Sequence, residues 1–289
     1  MTSATIKIFL VNGSPKRLRI AELSNWTGKV VAAPRTELDE LLGRPELNKP
    51  GVYLLTGTDS GSGEPMAYIG EGEVLRKRIR QHKSKDFWVH AFVFTSTDES
   101  LTKGRIRYLE GRLIEEVTRT GRAQMDNQQG SGSPLPESDR SDMEVFLENI
   151  RLLLPTLGSD VLTPSAGDQA TSAGSEQLTC VIKGLSATGA RTPDGFVVFS
   201  GSQAVKTLRN ASVGTGNFSE RKREELLENG KLVEEGDALR FAVDVEFSSP
   251  SGAASVVRGG NSNGLTSWRD RDGRTLKEIE ASGQEGAGT

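Results

Sequence analysis

The chain has 289 residues, 36 of them Lys or Arg and 39 Asp or Glu, with two His, one Cys, three Tyr and 33 Gly. A single cysteine, Cys180, excludes a disulfide framework, a CxxC redox pair and a cysteine zinc site. Two histidines, His82 and His90, exclude an HExxH protease and a three-histidine centre, so any metal is expected to be a hard ion on oxygen ligands.

At 35% apolar and 26% charged the chain can build a core, with Gly-rich stretches left over as linkers. No apolar run approaches the roughly 20 residues that span a bilayer, and the N-terminus carries no export signal. The expected compartment is therefore the cytoplasm, with no membrane partner. The net charge of -3 is unevenly spread: residues 1–122 hold 20 basic and 15 acidic side chains, and the rest hold 16 and 24. This reads as a basic functional unit followed by an acidic one.

In chain order, IKIFLVNG reads as a strand closed by an Asn-Gly turn, with PKRLRIAEL as its basic return, and TELDELLG as a short helix ended by Gly43. PGVYLLTG and MAYIG are short strands joined by a Ser/Gly loop at 57–65. EVLRKRIRQHK is a basic helix, HAFVFTS a strand, and LTKGRIRYLEGRLIEEVTRTG a long helix stopped by Gly121. Clusters of Ser, Gly and Pro at 130–136 and 164–175 bracket an isolated helix over 141–154. That helix opens on a capping box, Ser141 with Glu144, and places Met143, Phe146, Ile150 and Leu153 on one face, as a docking helix between domains would. Further on, TCVIKG, GFVVFSG, LRFAVDVEFSSP and the helix SERKREELLEN mark a second domain.

The expected fold class is thus α+β: a small sheet-and-helix core over 49–127 after an N-terminal strand and helix extension, 1–48. A linker over 128–177 leads to a separate C-terminal α+β domain at 178–280 and a flexible tail at 281–289.

Projecting the helices at about 100° per residue locates polar groups where apolar ones belong. On the long helix Ile106, Leu109, Leu113, Ile114 and Val117 form one stripe, and Glu110 falls inside it. A carboxylate there is costly unless it is paired, for instance with a buried Arg, or bound to a metal. On the basic helix Val74, Leu75 and Ile79 mark the apolar side and Arg78 and His82 lie on it, while Arg76, Lys77, Arg80 and Lys83 project elsewhere, toward solvent or toward phosphates. Three misplaced ionisable groups suggest one polar site between the helices. The strands add Tyr53 and Tyr68, which taken singly would be packing residues.

GVY at 51–53, YIG at 68–70, Arg78 eight residues after that second glycine, His82 four further and Glu110 on a later helix together resemble the GIY-YIG nuclease superfamily. The resemblance covers about residues 49–127. It departs from the usual pattern in Val52 for Ile and in a longer loop between the tyrosines. It implies Gly51, Tyr53, Tyr68 and Gly70 as the signature, Arg78 as catalytic arginine, His82 as motif histidine, Glu110 as the ligand of one Mg²⁺ or Mn²⁺ ion, and Asn127 as a supporting residue. The stretch FSSPSGAASVVRGGNSNGLTSWRDRDGRTL is similar to an uncharacterised domain appended to bacterial GIY-YIG proteins, which implies target binding rather than chemistry.

The expectation is a metal-dependent DNA endonuclease, with Arg78 on the non-bridging oxygens and Arg76, Lys77, Arg80 and Lys83 on flanking phosphates. The general base is either Tyr53, its phenol acidified by neighbouring positive charge, or His82, with Tyr53 orienting the water. The acidic C-terminal domain would bind a protein partner, or DNA through Arg269, Arg271 and Arg274 beside Trp268. The alternatives are a GIY-YIG-like binding module of weak or absent activity and an adaptor.

Overall fold

The computed structural model describes residues 3–127, 134–164, 176–209 and 216–285, and the chain divides into two units, Met1–Thr163 and Pro164–Thr289. The Gly/Ser/Pro clusters expected as linkers fall largely outside the described residues, as do 286–289 of the expected tail.

In the first unit the strands are β1 (Ile6–Leu10), β2 (Arg19–Leu23), β3 (Gly28–Pro34), β4 (Gly51–Thr58), β5 (Pro65–Gly72), β6 (Trp88–Ser96) and β7 (Gln124–Met125). The helices are α1 (Leu38–Gly43), α2 (Leu75–Gln81), α3 (Lys103–Thr120) and α4 (Glu137–Thr156). The strands form one sheet in the order β1-β2-β3-β6-β4-β5-β7, antiparallel throughout except for the short β5–β7 pair. Residues 1–48 are therefore no extension. β3 lies against β6 with Val30 opposite Phe94, and the N-terminal strands complete the sheet of the expected core.

The central strands of the sheet are buried on both faces, which strand alternation sorts into two cores. One face, with Val52, Leu54, Ala67, Ile69, Phe92 and Phe94, is covered by α3 and α4. The other, with Tyr53, Leu55 and Val93, is covered by α1 and α2. β4 sits centrally, and its first five residues are all buried.

Helix α4 differs from its expected form. It starts at Glu137 after Pro136, so Ser141 lies inside the helix and caps nothing; Glu144 instead accepts from Tyr108 Oη and Arg112 Nε, each at 2.6 Å. Its apolar face joins the α3 core, making it part of the first unit rather than a docking helix between domains.

The second unit comprises β8 (Leu178–Ile182), β9 (Leu185–Thr192), β10 (Gly195–Val198), β11 (Gln203–Val205), α5 (Phe218–Glu228), β12 (Leu232–Glu235), β13 (Ala238–Phe241), β14 (Val245–Phe247), α6 (Pro250–Arg258), α7 (Gly264–Ser267) and α8 (Leu276–Glu285). A four-stranded sheet, β14-β10-β9-β8, and a three-stranded one, β11-β13-β12, make it α+β like the first. α6 opens on Ser249, whose hydroxyl accepts from Gly252 N at 3.1 Å, with Pro250 at the first helical position. The expected tail is helical as far as Glu285.

Trp268 is fully buried, 4.5 Å from the Phe196 ring, with Nε1 donating to Pro250 O, and Arg274 is hydrogen-bonded to Asp270. The tryptophan is core, and Arg269, Arg271 and Arg274 around it are exposed. The expected acidity of the domain is corrected: residues 178–280 carry 14 basic and 14 acidic side chains, whereas 123–177 carry 2 and 9. The acidity belongs to α4 and its flanks. Among the described residues no helix is long and apolar enough to cross a membrane.

Candidate active site

The β4–β5 register sets Tyr53 opposite Gly70 and Leu55 opposite Tyr68, so both phenols stand on the α2 face of the sheet. The longer loop leaves this pairing intact, because Asp59 Oδ1 gathers Gly61 N, Ser62 N and the Ser62 hydroxyl into a tight turn. Tyr53 is fully buried and its ring lies across Gly70, where a Cβ would come within 2.5 Å of Tyr53 Cζ. Glycine is needed there by the ring above it and not by a turn. At Gly51 a Cβ would strike Phe94 O, the neighbouring strand's carbonyl. The two tyrosine rings stack with centroids 6.1 Å apart, and Tyr68 keeps part of its surface exposed.

His82 follows α2 in a single 3-10 turn, 82–84. It is 7% exposed, its Nε2 lies 2.7 Å from Tyr53 Oη, and its ring centroid is 4.4 Å from that of Tyr68. Trp88 Nε1 donates to His82 O at 3.0 Å, and Arg35 donates to the carbonyls of Lys83 and Lys85 while lying 4.6 Å over the Trp88 ring. Residues before β4 thus hold the turn that places His82. Burial lowers the imidazole pKa to about 4, with help from Lys85 and Arg78. Burial, then Tyr68, pushes the Tyr53 phenol far above its ordinary value, against the opposing charge of Arg78. The pair is therefore neutral at pH 7, with one hydrogen bond shared between Tyr53 Oη and His82 Nε2.

Arg78 is exposed, with its stem packed over Gly72, Nε donating to Glu71 O at 3.2 Å and Nη1 to Gln81 Oε1 at 3.0 Å. Lys85 lies 5.1 Å over the Tyr68 ring and pairs with Asp126.

Glu110 approaches from the other face. The α3 stripe directed at β5 is apolar at Ile114 and Val117 and becomes polar at Glu110, Arg107 and Lys103. The change coincides with the end of strand cover. β7 pairs β5 only at Met66 and Ala67, and Asn127 then takes a strand's place, its Nδ2 donating to Ile69 O at 2.7 Å and its Oδ1 accepting from Ile69 N at 3.2 Å. Beyond Ile69, among the described residues, no strand covers the outer edge of β5 at Gly70–Gly72.

Around that edge groups from both faces come together. Glu110 is 8% exposed, and its charge opposes ionisation of both Tyr53 and Glu71. Glu71 is raised by burial and then by Glu110, with Arg107, Arg78 and Lys103 acting against the rise. Tyr53, Tyr68, Arg78, His82 and Glu110 thus belong to one electrostatically coupled group, to which the structure adds Glu71, Lys85, Arg107 and Asp126. Glu71 was readable from alternation, since it shares a strand face with Ala67 and Ile69, where a carboxylate is as misplaced as Glu110 on its helix.

Of the four basic residues expected to face phosphates, Lys77, Arg80 and Lys83 are exposed. Arg76 is half-buried, and its Nη2 donates to Arg44 O at 3.2 Å, tying α2 to the segment before β4. On α3, Arg105 bonds Asp139 and Asp142, and Arg112 bonds Glu144, so the acid of α4 neutralises the outer side of that helix. Among the described residues there is no group of three or more His, Cys, Asp or Glu able to hold a metal. A hard ion that keeps most of its waters needs only one or two carboxylates, which Glu110 and Glu71 can supply.

Residues 178–280 match the family described as a domain of unknown function, DUF4357. No curated protein and no solved structure matches the chain.

Proposed function

We propose that the first unit is a GIY-YIG-type, metal-dependent DNA endonuclease. The observation that supports this reading is that the two signature tyrosines and His82 pack together on one face of the sheet, with Arg78 at the rim, while the charge of Glu110 from the other face reaches Tyr53 at a strand edge left open by β7. A Mg²⁺ or Mn²⁺ ion held by Glu110, with Glu71 beside it, would neutralise charge growing on phosphate oxygens and acidify a bound water.

The protein's own groups do the rest. Arg78, exposed and anchored at its stem, is placed to donate to non-bridging oxygens once it leaves Gln81. Tyr53 is too deeply buried to stand as a tyrosinate, since ionisation would strand a charge out of water. Tyr53 and His82 share one hydrogen bond, so on this reading they act as a pair, with His82, neutral at pH 7, as the member able to hold a proton and Tyr53 as its orienting partner. Tyr68, partly exposed, is the phenol that reaches substrate, and the Lys85–Asp126 pair fixes its ring. Lys77, Arg80 and Lys83 supply phosphate contacts along the DNA.

The 178–280 domain, balanced in charge, serves target or partner binding rather than chemistry. Incubating the full chain with supercoiled plasmid and Mg²⁺ or Mn²⁺ tests the reading: nicking that EDTA abolishes is expected, and no nicking with either metal contradicts it.

A further inference from the structure

On the nuclease reading above, Arg107 at the open edge has no assignment. Arg107 lies on α3 one turn before Glu110, in the stripe directed at β5. Its neighbours along the helix are committed: Arg105 and Arg112 are hydrogen-bonded to carboxylates of α4. By contrast, the described contact of the Arg107 guanidinium is a loose ion pair, with Nε 4.0 Å from Glu71 Oε1, and the side chain is 44% exposed. Across the strand edge, Arg78 donates to the backbone of the same Glu71. Glu71 is thus met by two guanidiniums, Arg107 at its carboxylate and Arg78 at its backbone carbonyl, and Arg107 is the more loosely held of them.

We infer that Arg107 is a second phosphate-binding residue of this site, holding the phosphate next to the one that Arg78 engages. A guanidinium is suited to this, because its planar fork matches two phosphate oxygens, whereas its weak pairing to Glu71 costs little to exchange. Ion-pair exchange also explains why so exposed an arginine sits beside Glu71 in the free protein: it screens that carboxylate until phosphate replaces it.

The test is binding of the full chain to a fluorescein-labelled duplex oligonucleotide, followed by anisotropy in EDTA over a range of NaCl concentrations. The proteins are wild type, Arg107→Ala, Arg107→Lys and Arg119→Ala, the last an exposed arginine on the opposite side of α3. Arg107→Ala is expected to weaken binding about tenfold and to reduce the slope of log affinity against log salt by about one. Arg107→Lys keeps the slope, and Arg119→Ala matches wild type. A merely structural role would shift the melting temperature and leave the slope unchanged.

Wild-type affinity and slope in Arg107→Ala overturn the inference, as does a wild type that binds no DNA. If the wild type shows the Arg107-dependent slope yet cuts nothing with Mg²⁺ or Mn²⁺, the phosphate contact stands and the nuclease reading falls. If it cuts and Arg107→Ala changes nothing, the inference alone falls.

Discussion

Replacing Gly70 by Ala puts a methyl group where the Tyr53 ring lies, 2.5 Å from Cζ, about 1 Å inside the usual 3.5 Å approach of two carbons. The ring cannot retreat freely. It is fully buried, stacked on Tyr68, and tied through its hydroxyl to His82 at 2.7 Å. Forcing a methyl group into such packing costs about 1–3 kcal/mol, and breaking the Tyr53–His82 bond leaves two buried polar groups unpaired for about 1–3 more. The expected loss is roughly 2–6 kcal/mol, a large part of the stability of a typical domain, about 5–15 kcal/mol. Urea denaturation should show a lower midpoint at unchanged slope. A double-mutant cycle isolates the cause: in a Tyr53→Ala background, Gly70→Ala should add less than about 0.5 kcal/mol. A Gly70→Ala protein within about 0.5 kcal/mol of wild type would refute the account of why the second signature glycine is a glycine.

His82 gives a pH dependence. Its folded pKa, about 4, lies below the ordinary 6.5, so the unfolded chain takes the proton first and stability falls as pH drops from 6.5 toward 4, by at most roughly 3 kcal/mol. His90, lowered by burial and then Arg19, acts in the same direction, so His82→Asn should flatten the low-pH arm of a stability–pH curve without abolishing it; an unchanged arm contradicts the burial argument. In the second unit Arg223, 4% exposed, donates to Val205 O, Lys206 O and Val256 O. Arg223→Met orphans these carbonyls and should cost about 3–5 kcal/mol, seen as protease cutting within 178–280 while 3–127 resists. An unaltered digestion pattern would count against it.

Where short-range patterns decide structure, the sequence was legible. The β4–β5 hairpin, α2, β6 and α3 follow from apolar spacing and the stop at Gly121, and Glu110 stood out because it broke a helical stripe. β3 did not: GKVVAAP is buried on both faces and has no alternation to read, and its pairing with β6 joins residues 56 to 68 positions apart. α6 was missed although Ser249 and Pro250 announce a helix start, because its Gly, Ala and Ser content reads as loop. Glu71 breaks the apolar face that Ala67 and Ile69 make on β5 just as Glu110 breaks the stripe of α3. Arg35 supports His82 from a segment whose link to the site exists only in three dimensions. The halves of the chain were correctly seen to differ in charge, yet the excess acid was assigned to the wrong element, since α4 lies beyond residue 122 in sequence but within the first unit in space.

The central claim is that Glu110, not its surroundings, makes this edge catalytic, and Glu110→Gln tests it most directly because the amide keeps size and removes the charge. With the full chain, plasmid and Mn²⁺, and urea melts to establish that the variant is folded, Glu110→Gln is expected to lose nicking to the level seen in EDTA. Nicking at the wild-type rate by a folded Glu110→Gln protein would contradict the assignment.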